Sequence, residues 1–114
     1  MLSSSTSGDV QEWAAAALGN LAVSADNQAL IAEAGGIPPL VSCLTTGTGW
    51  AQESAAVALG NLMADWIVVD REFVPMPEAT EIAEANKASI ASAGAIEPLI
   101  ALLTNGRAAL GALG

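Results

Sequence analysis

Apolar residues along this chain recur at helical spacing and are broken by glycine and proline. Ile37, Leu40, Val41 and Leu44 stand at i, i+3, i+4 and i+7, the stripe of a helix with one buried face. Pro38 and Pro39 fall in its first turn, where a missing N–H costs little, and it ends in "TTGTG". A shorter helix precedes it, Asp26–Ala34, stopped by Gly35 and Gly36 in the manner of a left-handed cap. A third helix is predicted over Asp9–Val23, with Val10, Ala14, Ala17, Leu18 and Leu21 as its buried stripe, and again over Trp50–Ala64.

These pieces repeat. "QEWAAAALGNL" (11–21) and "QESAAVALGNL" (52–62) agree at nine of eleven places, 41 residues apart. "NQALIAEAGGIPPLVSCLTTG" (27–47) and "NKASIASAGAIEPLIALLTNG" (86–106) share 12 of 21, but 59 residues apart, so about 18 extra residues lie between Asn61 and Asn86. A period near 40 with helical patterning is the signature of a solenoid, in which each unit buries its faces on its neighbours. Gly19 and Gly60 recur inside the third helix despite a cost of about 1 kcal/mol each against alanine, which suggests close approach of another helix.

A short helix closing in "AG", a second opening "IPPLV", and a long third ending "ALGNL" resemble armadillo repeats. The resemblance covers roughly residues 8–65 and 84–106. It implies an all-α fold, a right-handed superhelical solenoid of three-helix repeats whose third helices line a concave groove for extended peptides. The expected organisation is a disordered segment 1–7 and one partial armadillo domain 8–114. Within that domain lie a lone third helix (8–24), a full repeat (25–65), an insertion (66–83) and a partial repeat (84–114). The tail "RAALGALG" (107–114) resembles a shortened third helix, with Ala112 where the asparagine would stand. Apolar faces at Val10, Leu99 and Leu103 are expected to lack neighbours, giving a chain that packs against other subunits or self-associates through uncapped ends.

The resemblance also nominates a site. Asn20 and Asn61 match the asparagine with which armadillo proteins hold the backbone of a bound peptide, and an amide suits that task because it donates and accepts without charge. Helical spacing puts Trp13, Ala16, Asn20 and Val23 on one face, and Ser54, Val57, Asn61 and Ala64 on the matching face one repeat along. Members that bind nuclear-import signals carry a tryptophan four residues before each asparagine. Here Ala16 and Val57 occupy those places, which argues against that ligand. Trp13 is either an aromatic anchor for a partner or packed under a preceding element, and Trp50 is expected in the core or as a helix staple. The insertion opens "WIVV", breaks at Pro75 and Pro77, and with its flanks holds six of the 12 acids. It reads as a surface loop, or as a docking loop with Trp66, Ile67 and Val68 as its apolar contact.

Composition narrows the chemistry. Three basic residues against 12 acidic give a formal charge of −9, with no basic cluster to displace counterions from nucleic acid. With no His, no Tyr and the single Cys43, neither a triad nor a metal-ligand set can be assembled, so no enzyme, metal or cofactor is expected. "GTGWAQ" (47–52) lacks the third glycine and the preceding strand of a nucleotide loop. Glu78, Glu81 and Glu84 read as a solvated helix edge. The longest uncharged window, Ala34–Gln52, is broken by four glycines and two prolines and cannot span a membrane. The lone cysteine suits a reducing, intracellular compartment. Two functions remain: noncatalytic binding of a protein or peptide in the groove, or a structural subunit embedded in a larger assembly, organellar or membrane-associated.

Overall fold

The computed structural model describes residues 7–113, with side chains from Val10 to Thr104; the expected disordered segment lies outside it, apart from Ser7, which opens the first helix. The chain is mostly helical. Helix α1 (Ser7–Leu21) is followed by α2 (Ala25–Glu33), α3 (Ile37–Thr46) and α4 (Gly49–Leu62). A hairpin of β1 (Trp66–Val69) and β2 (Glu72–Pro75) comes next, then a single 3-10 turn at Pro77–Ala79, α5 (Thr80–Ser92) and α6 (Ile96–Leu113). The tail runs on as the end of α6 rather than as a separate helix.

The glycine punctuation does what its spacing implies. Gly35 and Gly94, 59 residues apart, both take positive φ (83° and 87°), which glycine alone adopts without strain. The chain then turns by 81° from α2 into α3 and by 80° from the α5 segment into α6, so the two copies share one bend. Side chains cap the starts of α2 and α4. The Ser24 hydroxyl accepts from the Asn27 N–H at 3.2 Å, and the Thr48 hydroxyl from the Ala51 N–H at 3.3 Å. At Gly47 an added Cβ would stand 2.8 Å from the Cys43 carbonyl oxygen, so the α3–α4 turn closes only around a bare backbone.

The core gathers Ile31 of α2, Ile37, Leu40, Val41 and Leu44 of α3, Leu59 and Leu62 of α4, and Ile90 of α5, with Leu99 and Leu102 of α6 packed against it. Leu99 is therefore not one of the uncovered residues; Val10 (52 % exposed) and Leu103 (75 %) are. A smaller cluster holds Ala25, Met76 and Ala79, with Ile67 and Ile82 against it. This corrects the loop expected over 66–83: the segment begins as a hairpin, and its second half, where Met76, Ala79 and Ala83 are buried, is part of the core.

Helices α1 and α4 carry nearly the same letters and bury different faces. In α4 the buried residues are Ala51, Ala55, Ala58, Leu59 and Leu62, the stripe expected from the periodicity. In α1 the equivalent Val10, Ala14, Ala17 and Leu21 are exposed, and Ala15, Gly19 and Ala22 are buried instead. Burial follows from the neighbour. Helix α1 meets α4 through small residues, and a Cβ added at Gly19 would lie 3.6 Å from the Ala58 Cα. The face of α4 that corresponds, around Gly60, has nothing described within 4 Å. Close approach thus explains Gly19 and not Gly60.

Candidate protein-binding groove

The last turn of a helix leaves carbonyl oxygens without partners, and here side-chain amides from the flanking helices supply them. The fully buried Gln28 of α2 donates from Nε2 to the carbonyls of Asn61 (2.6 Å) and Ala64 (3.0 Å). The buried Asn86 of α5 donates to that of Leu62 at 2.8 Å. Asn61 itself, half-buried, donates from Nδ2 to the Gly19 carbonyl at 2.9 Å and so ties α4 to α1. The Asn61 amide thus already has a protein partner, whereas Asn20 is exposed.

One recess lies between α1 and α4, and a second lies where the two helices end. The first, about 210 Å³, is lined by Ala16, Gly19 and Asn20 of α1 and by Trp50, Glu53, Ser54 and Val57 of α4. The second, about 400 Å³, is lined by Ala22, Val23, Gln28, Asn61, Ala64 and Met76 together with Trp66, Ile67 and Val68 of the hairpin. Of the residues nominated from sequence, Ala16, Asn20, Ser54 and Val57 therefore share one recess. Asn61 falls in the next, beside Trp66, Ile67 and Val68. Trp13 lines neither and stands 71 % exposed on the surface of α1.

Trp50 departs from expectation. It is 53 % exposed and walls the first recess, because Ala51 and Ala55 take the inward positions of α4. Glu53, Gln28 and the hairpin's Phe73 also line recesses, and no motif or spacing marks them in the sequence. A T-shaped contact joins the Phe73 ring to that of Trp66, centroids 4.9 Å apart. Glu78, Glu81 and Glu84 are all exposed. Lys87 pairs with Glu84 at 2.7 Å, and that hydrogen bond, with the carboxylate charge behind it, raises the lysine above its usual pKa. Cys43 is a free, half-buried thiol packed against the core. Among the described residues no three His, Cys, Asp or Glu side chains stand close enough to hold a metal ion. No single described helix is long and apolar enough to cross a membrane.

No curated protein and no solved structure matches the chain. Residues 24–64 match the family model of the Armadillo/beta-catenin-like repeat, a segment that runs from the Ser24 cap through the end of α4 and contains one complete set of three helices. Repeats of this kind are generally non-catalytic protein-interaction modules. That match, over about a third of the chain, makes residues 24–64 similar to an armadillo-like repeat.

Proposed function

We propose that this chain is a noncatalytic protein-binding module that holds an extended segment of a partner along α1 and α4, as part of a right-handed armadillo-type solenoid. One observation carries the reading: residues from both sequence copies, Asn20 on α1 and Ser54 and Val57 on α4, line one recess, and a second recess lies where these two helices end, against the hairpin. The exposed amide of Asn20 suits recognition of a backbone, and Trp50 and Val57 offer apolar contact. Asn61 serves the scaffold through its Nδ2, so the asparagine pair acts unequally: Asn20 holds the ligand and Asn61 holds the groove. An intracellular setting belongs to the proposal, on the strength of the single free thiol.

The test is selection of peptides from a random display library, followed by mapping of amide shifts. Shifts at Ala16, Asn20, Ser54 and Val57, lost in Val57→Glu, are the expected result. Selected peptides that map to other faces would overturn it.

A second reading, a structural subunit held in a larger assembly, draws on α6. Its Ile96, Ile100 and Leu103, at i, i+4 and i+7, are 58 %, 57 % and 75 % exposed, an apolar stripe of the kind that marks a protein contact. Sedimentation of the purified chain separates the two: a monomer that binds selected peptides favours the module, and concentration-dependent association blocked by Leu103→Glu favours the subunit.

A further inference from the structure

The hairpin carries a recess that the groove does not use. Pairing of Trp66 with Pro75 and of Val68 with Phe73 puts these four residues on one face of the two-stranded sheet, while Ile67 on the other face packs onto the Ala25–Met76–Ala79 cluster. Trp66 and Phe73 remain 48 % and 71 % exposed, although large aromatic side chains are usually drawn into a core. Their planes stand at 83°, an edge-to-face contact that makes a corner of the two rings. That corner opens into a recess of about 550 Å³ lined by Asp65, Trp66, Phe73, Pro75, Pro77 and Thr80.

The chemistry of the lining selects its occupant. The face of an aromatic ring is electron-rich and attracts a cation, most strongly over tryptophan. A carboxylate, Asp65, lies on the same rim, and Lys87, the cation whose pKa it touches, is already bonded to Glu84. Within residues 66–83, Asp70, Glu72, Glu78 and Glu81 stand against Arg71 alone, an acidic excess that favours positive charge. A planar guanidinium stacks on one ring while its fork reaches a carboxylate, a combination that a compact ammonium does not match.

We infer that the Trp66–Phe73 corner with Asp65 is a binding site for an arginine side chain of a partner protein. The site rests on the hairpin's own geometry; Trp66 also borders the second recess, whereas Asp65, Phe73, Pro75, Pro77 and Thr80 do not.

The experiment uses the full chain and two blocked tripeptides, acetyl-Gly-Arg-Gly-amide and its citrulline counterpart, which keeps the planar shape and loses the charge. Binding is followed by the three tryptophan indole N–H signals in nitrogen–proton spectra. The arginine peptide is expected to shift the Trp66 signal in preference to those of Trp13 and Trp50. The citrulline peptide should bind at least about 5-fold more weakly. Phe73→Leu, which keeps apolar bulk, and Asp65→Asn, which keeps shape, should each reduce affinity by a similar factor, while Glu33→Gln on the exposed surface of α2 leaves it unchanged. Cross-strand contacts between Trp66 and Pro75 in the variants report that the hairpin is still formed. Equal binding of the citrulline peptide, shifts confined to Trp13 or Trp50, no shift at all, or an intact Phe73→Leu or Asp65→Asn hairpin with undiminished affinity would overturn the site. Tighter binding of the matching lysine peptide would overturn the guanidinium assignment.

Discussion

At the scale of single residues, position in the repeat and environment come apart. Asn20 and Asn61 occupy equivalent places, yet one amide faces solvent and the other donates across 42 residues to Gly19. Asn61→Ala should therefore lower the unfolding free energy by about 0.5–1.5 kcal/mol in urea titration, whereas Asn20→Ala leaves it unchanged and weakens peptide binding. Ala17 and Ala58 make a second matched pair, exposed and fully buried. Ala17→Asp is expected to stay within about 0.5 kcal/mol of the parent, while Ala58→Asp strands a carboxylate between α1 and α4 and costs about 3 kcal/mol or more. Thermal melts followed by circular dichroism decide both. The letters A-L-G-N-L disclosed the repeat but not this asymmetry, because burial is a property of the neighbour and the neighbour is not written in the helix itself.

At the scale of elements, the helices were legible and the hairpin was not. Glycine and proline placed the breaks, and the stripe Ile37, Leu40, Val41 and Leu44 was found buried as its spacing required. The sequence of 66–75 carries no hairpin signal of the usual kind, since its two-residue turn is Asp70-Arg71 with neither glycine nor asparagine. Both residues nonetheless take positive φ, 50° and 69°, which the right-handed twist of the paired strands demands. A left-handed conformation costs a non-glycine residue about 1–2 kcal/mol, so Arg71→Gly should stabilise the hairpin. Slower exchange of the hydrogen-bonded amides of β1 and β2 is the expected sign; unchanged or faster exchange would mean that the turn is not under strain. That Ala16, Asn20, Ser54 and Val57 line one recess was legible for the same reason as the helices, since period 3.6 puts them on adjoining faces. Trp50 was not, because a tryptophan near a helix start fits a staple as readily as a groove wall.

At the scale of the whole molecule, the roughly 18 extra residues between Asn61 and Asn86 are absorbed without disturbing either bend. The Met76 N–H donates to the Asp65 carbonyl at 2.6 Å, so the chain leaves the helical body and returns to it at nearly the same point. Residues 66–75 are in that sense a closed excursion, and Met76 onward is core again. The cost of such an excursion to folding is that of closing a loop between fixed ends, which grows only with the logarithm of its length. A flexible replacement twice as long should thus lower stability by only about 0.6 kcal/mol relative to one of equal length, with helical ellipticity preserved in both. A steep, linear loss with length would show that the strands brace the joint between α4 and α5. Length in this segment is free to vary, and what it displays can change while the scaffold beneath it stays as it is.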